Sequence, residues 1–90
     1  MKVIWKFTIR PFTTTVRMPR GAEILTVREQ HGEPQIWALV NPRELMGDRE
    51  ILIVPTGGDV PEGGKFVGTF FIENGSLVFH VFDFGYEENR

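Results

Sequence analysis

The sequence predicts an all-β domain, a small antiparallel sandwich or barrel of about seven strands with at most one helical turn near residues 42–46. Three observations carry that reading. Residues 65–84, KFVGTFFIENGSLVFHVFDF, are two apolar runs joined by Asn74-Gly75. Asn-Gly is the strongest short-range signal for a type I′ hairpin, because both central residues must take positive φ. Residues 2–9 alternate apolar and polar side chains, the period of a half-buried strand. Turn residues then divide the rest of the chain into short runs, too short for a helical period to develop.

Taken in order, Val3, Trp5, Phe7 and Ile9 supply a core-facing row, and Lys2, Lys6 and Arg10 a basic row beside it. Pro11 ends that strand because it has no N–H for a ladder. Residues 12–18 predict a second strand with Phe12, Val16 and Met18 turned inward. Pro19, Arg20 and Gly21 form a turn. Residues 22–30 and 35–41 predict a hairpin closed at His31-Gly32, with Val27 opposite Ile36, Thr26 opposite Trp37 and Leu25 opposite Ala38. Pro34 then fits best on an edge. Asn41-Pro42-Arg43-Glu44 has the pattern of a capping box and predicts a single helical turn, ended by Gly47. Residues 49–54 predict a fifth strand, and Pro55 to Gly64 a loop. The 65–84 hairpin supplies strands six and seven, and residues 85–90 a polar tail that frays.

The hairpin register follows from its turn. Glu73 faces Ser76, Ile72 Leu77, Phe71 Val78, Phe70 Phe79, Thr69 His80, Gly68 Val81, Val67 Phe82 and Phe66 Asp83. Alternate rungs lie on opposite faces, so both faces are apolar and need cover from the rest of the chain or from a second copy. The 22–41 hairpin has the same character, which predicts a homo-oligomer, a dimer in the simplest case.

At 90 residues the chain predicts one domain with one modest core. It has no cysteine, which excludes disulfides and thiolate metal sites and fits a reducing compartment. No apolar run approaches a membrane span, and the charged start MKVIWKFTIRPF does not read as a signal peptide. The expected location is the cytoplasm, with no membrane partner. Residues 1–28 carry six cations against Glu23 alone, whereas residues 29–90 carry four cations against eleven acids. That asymmetry has two readings: basic early strands beside acidic late ones, or a basic surface for an anionic partner.

The chemistry-bearing residues are few. His80 sits opposite Thr69, whose hydroxyl can satisfy its ring; a ligand-facing or pH-sensitive histidine is the alternative. Ser76, His80 and Asp83 make a triad only on paper. Ser76 and His80 stand four residues apart on one strand, and Asp83 points to the other face. His31 lies in a turn, and the two histidines have no metal-ligand spacing, so neither a metal nor a cofactor is expected. The glycine-rich loop with Thr56, Gly57 and Gly58 lacks both the Walker and the dinucleotide pattern, leaving a flexible connection, a ligand-clamping loop or a partner-contact loop. Trp5 and Trp37 fill a core or, beside Lys2, Lys6 and Arg10, stack on a base whose phosphate the cations hold. The net charge of −2 and the want of a recognition helix disfavour duplex nucleic acid.

The fragments VIWKFTI, MPRGAEILTV, IWALVNP, FVGTF and GSLVFHVF together resemble a family of small uncharacterised proteins of tailed bacteriophages and prophages, a domain of unknown function. The resemblance spans nearly the whole chain. It implies a phage origin, an accessory role in the host cytoplasm and no catalytic residues to carry over. Members of that family tend to carry a histidine where this chain has Gly58, and the departure lowers any enzymatic reading. Together these readings predict a non-catalytic binding protein that modulates a host protein or host defence. The alternatives are a sponge for an anionic signalling nucleotide at a homodimer interface and, third, a small hydrolase or nuclease.

Overall fold

The computed structural model describes residues 1–88. Among them seven strands form two antiparallel sheets, with no helix. They are β1 (Val3–Thr8), β2 (Thr15–Pro19), β3 (Glu23–Gln30), β4 (Glu33–Val40), β5 (Met46–Pro55), β6 (Lys65–Ile72) and β7 (Leu77–Tyr86). One sheet has the order β1-β4-β3 and the other β2-β5-β7-β6. Their inner faces share one core of Ile9, Val16, Met18, Val27, Ile36, Val40, Ile51, Phe70 and Val81. The sequence expectation of an all-β fold of about seven strands is met.

The sheets come together at one side, where β3 runs beside β6. Gly68 permits the approach: a Cβ there would lie 3.0 Å from Val27 Cγ1. A buried ion pair fastens the same side. Arg49 donates from Nε and Nη2 to the two oxygens of Asp83 at 2.8 and 2.7 Å, and from Nη1 to the Ala22 carbonyl at 2.7 Å. Its guanidinium lies 4.7 Å from the Tyr86 ring centroid, and the Tyr86 hydroxyl bridges the Pro19 carbonyl and the Ala22 N–H. Arg49 is held above its ordinary pKa first by its hydrogen bonds to Asp83. At Asp83, burial favours the neutral acid. Arg49's hydrogen bonds, the Gly85 N–H and the charges of Arg49 and Lys65 outweigh that, and the carboxyl is held below the ordinary aspartate range.

Several local expectations are corrected. Phe12 is 82% exposed rather than inward, because Arg10 and Thr13 close a turn (Thr13 N–H to Arg10 O, 2.9 Å) that leaves it at the tip, and β2 begins only at Thr15. Asn41 caps a turn, not a helix. Its Oδ1 accepts from Arg43 N–H, and its carbonyl accepts from Glu44 N–H. Gly47 lies within β5, where a side chain would meet Tyr86 and Arg20. Leu25 is an extra residue in a bulge, so Ile24 faces Ala38 instead. Pro34 lies on β4, the central strand, not an edge. It is tolerated because it falls beyond the last β1 rung, where its carbonyl accepts from Ile9 N–H and no ladder donor is required of it. Gly85 and Tyr86, expected in a fraying tail, complete β7, and Glu87 N–H reaches the Asp48 carbonyl at 2.8 Å. The last two residues of the expected tail lie outside the described chain.

The Asn74-Gly75 turn forms as expected. Both residues have positive φ, and Ser76 N–H donates to Glu73 O. Glu73 also has positive φ and Gly75 N–H donates to Ile72 O, so the last rung is Ile72–Leu77 and not the expected Glu73–Ser76. The register from Ile72↔Leu77 to Gly68↔Val81 is the expected one. It then shifts, pairing Phe66 with Phe82 and Lys65 with Asp83, because Val67 is an extra residue in a bulge.

Candidate functional site

The Val67 bulge decides what the four-stranded sheet presents to solvent. Strict alternation from outward Phe71 and Thr69 would turn Val67 outward and Phe66 inward. The extra residue reverses this: Val67 packs on the core, and Phe66 stands opposite Phe82 with ring centroids 5.5 Å apart. The outer face of the β6–β7 ribbon therefore carries three successive side-chain rows: Phe71 with Val78, Thr69 with His80, and Phe66 with Phe82. Phe66 and Phe71 are 56% and 54% exposed. The cover that the doubly apolar hairpin was expected to need is thus incomplete among the described residues.

His80 occupies the middle row. Its Nδ1 lies 2.8 Å from Thr69 Oγ1, as the register implied, and its Nε2 lies 2.8 Å from Thr56 Oγ1. Thr56 reaches it because β5 pairs Val54 with His80, so the residue just past β5 folds over the ring. A neutral imidazole donates from one nitrogen and accepts at the other, and a hydroxyl complements either role. Both ring nitrogens are therefore satisfied. Asp83 belongs to the core-side pair with Arg49 and Ser76 bonds the Glu73 carbonyl, so neither joins His80.

The loop between β5 and β6 presses on this face at both ends. Gly57 has φ +93°, and Gly58 N–H closes a turn onto the Pro55 carbonyl at 2.9 Å. A Cβ on Gly58 would lie 3.2 Å from Val54 Cβ, and one on Gly64 would lie 2.6 Å from the Phe84 ring. This accounts for the burial of Val54, whose outward position would otherwise expose it.

The other candidates lie on the three-stranded sheet and are only partly brought together. Lys6 faces Trp37 directly across the β1–β4 ladder, on the outer face, with Ile4 and Leu39 on the next outer row. Lys6 Nζ bonds Gln30 Oε1 at 2.8 Å. Trp5 pairs with Ala38 on the opposite face, against Phe7, so it does not stand beside the basic row. Arg10 lies past β1 and pairs with Glu33 at 3.0 Å, while Lys2 precedes the strand. Among the described residues no group of three or more His, Asp or Glu side chains converges as metal ligands.

Arg49 and Tyr86 were not singled out from sequence, and Asp83 was weighed only as a triad acid for His80, not as the partner of Arg49. The signal was present: Arg49 has the strand phase of Ile51 and Ile53, and Asp83 that of Phe79 and Val81. Two opposite charges in apolar phase call for each other.

These features define a small all-β sandwich with a part-open aromatic outer face and a second, basic-apolar one. The chain belongs to the family described as Domain of unknown function (DUF7352), whose model matches residues 1–89. Neither the curated proteins nor the solved structures include a match to it.

Proposed function

We propose that the protein is a non-catalytic accessory protein of a bacteriophage or prophage that acts in the host cytoplasm by binding a host protein. The outer face of the four-stranded sheet, with the Thr56–Gly64 loop, is the contact surface. The observation that carries this reading is the exposure of Phe66 and Phe71 beside Phe82 and Val78. Large apolar side chains grouped on one solvated sheet face are a common mark of an interaction surface. Binding is favoured over turnover because His80 has both nitrogens occupied by threonine hydroxyls, an arrangement that orients the ring without an acid partner. The sequence resemblance supports the phage origin.

The test is affinity capture from infected cells on immobilised wild-type protein and on a folded Phe66→Ser/Phe71→Ser variant. A host protein retained by the first and lost by the second supports the reading. Identical captures on both would remove this face as the contact surface.

A second reading has one observation behind it, the Lys6–Trp37 rung. A cation beside an indole on a face that also exposes Ile4 suits an anionic nucleotide held where two copies meet. Lys6→Glu should then abolish nucleotide binding with the fold intact; unchanged affinity would dismiss this reading.

A further inference from the structure

The charges on the two outer faces differ in sign. On the three-stranded sheet, Lys6 and Arg28 share the outer phase of Trp37 and Gln35, with Glu23 at its far end. On the four-stranded sheet, Glu50 shares the outer phase of Leu52 and Val54, and the loop lying on that face carries Asp59 and Glu62. All three acids are exposed. The ion pairs among the described residues are Arg10–Glu33, Arg17–Asp48 and Arg49–Asp83, so none of the three is neutralised in that way. The cation at the start of β6, Lys65, pairs across the ladder with Asp83 and so takes the core-side phase. Arg17, on the outer phase, is matched by Asp48. Glu50, Asp59 and Glu62 therefore form an acidic rim on the β5 and loop side of the aromatic rows, while on the β3 side Arg28 and Glu29, of opposite sign, line one groove with Thr69 and Phe71.

We propose that this face takes a cationic, apolar surface of its partner protein: lysine or arginine side chains meet Glu50, Asp59 and Glu62 while apolar side chains cover Phe66 and Phe71. The inference rests on the reading of this face as the contact surface. Opposed charge at the rim selects the partner and speeds encounter, while the desolvated apolar centre holds it. A second copy offers the same chemistry through its basic face, and self-association at low salt is accordingly one outcome of the test.

The test uses isotope-labelled protein and two synthetic peptides of eight residues, the length of β6. They have the same leucines at alternate positions and lysine or glutamate between them. The lysine peptide should shift the amide signals of Phe66, Phe71 and His80. Its affinity should fall about tenfold or more between low and high salt as screening shortens the reach of the rim. Glu50→Lys/Glu62→Lys should reverse the preference, and Phe71→Ser should abolish binding of either peptide. If both peptides bind equally and both are lost in Phe71→Ser, the contact surface stands and its charge preference falls. If neither peptide perturbs the face, both readings fall. Lysine-peptide binding that survives Phe71→Ser would mark simple attraction to acids and overturn the proposal. Low-salt self-association broken by Lys6→Glu as well as by Glu50→Lys would assign the face to a second copy and overturn it too.

Discussion

Replacing Asp83 removes half of the Arg49–Asp83 pair and leaves a guanidinium that is only 11% exposed. Arg49 would keep the Ala22 carbonyl and the Tyr86 ring but lose two charge-assisted hydrogen bonds. Breaking one side of a buried pair costs about 3–5 kcal/mol. Domain stabilities are about 5–15 kcal/mol, so Asp83→Ala forfeits a large part of the total. With about 4–8 °C lost per kcal/mol in a domain of this size, the midpoint should fall by roughly 12–40 °C. The assay is thermal unfolding for the midpoint and urea unfolding for the free energy, each followed by Trp5 and Trp37 fluorescence. Arg17→Ala serves as control: its pair with Asp48 has side chains 64% and 45% exposed and should contribute about 0–1 kcal/mol. Because Asp83→Ala can fail to fold, Arg49→Met/Asp83→Leu completes the test. A well-packed apolar replacement of the whole pair is often neutral or stabilising. If Asp83→Ala costs no more than Arg17→Ala, or if the double replacement costs as much as the single one, the reasoning is wrong.

Four further outcomes are expected. Asp83 has its pKa lowered in the folded state, so its contribution is fully present above the unfolded value near 3.8. It is lost as the pH falls below that value and through the folded one, so acid titration of wild type should show a loss that Arg49→Met/Asp83→Leu lacks. Gly68→Ala should destabilise by about 1–3 kcal/mol, because Val27 Cγ1 stands 3.0 Å from the new methyl and its branched side chain has little freedom to retreat; a thermal midpoint within a degree of wild type would contradict this. Phe71→Ser should leave the melting temperature nearly unchanged, whereas Phe70→Ser, at a site 2% exposed, should cost about 3–5 kcal/mol or more; equal effects would mean that the two faces are wrongly assigned. Sedimentation at high salt, which screens the repulsion between two Lys6-bearing faces, should detect self-association through the Ile4–Trp37 face, and a monomer at every concentration would remove the homodimer of the second reading.

What the sequence made legible follows the range of the interactions involved. The two tight turns were readable because positive φ at His31, Gly32, Asn74 and Gly75 is a local demand met by local residues, although Glu73, which also takes positive φ, carried no such signal. Period-two patterning gave the strands, and the turn gave the Thr69–His80 rung. Each miss came from a tertiary term. Residues 41–47 carry the signals of a helix N-terminus, but Gly47 is drawn into the ladder opposite Met18, so the capping asparagine closes a turn instead. Thr56 was legible as a loop residue and not as a partner of His80, because that contact depends on the β5–β7 register.

The bulges at Leu25 and Val67 were invisible for a related reason: each follows from how far two strands stay in step, which no single strand encodes. Their consequence for function is the larger one. Were the intact strand paired with no register shift, Phe66 would point inward and Val67 outward, opposite Phe82. The outer ribbon would then show one exposed phenylalanine on β6 instead of two, with no aromatic partner for Phe82. Deleting Val67 should remove the bulge and leave Phe66 directly before Gly68, still opposite Phe82 on the outer face, so the variant should lose stability with a core side chain yet keep partner binding, whereas Phe66→Ser should lose binding. If a folded Phe66→Ser variant binds as well as wild type, the aromatic rows are not the contact surface, whatever their exposure.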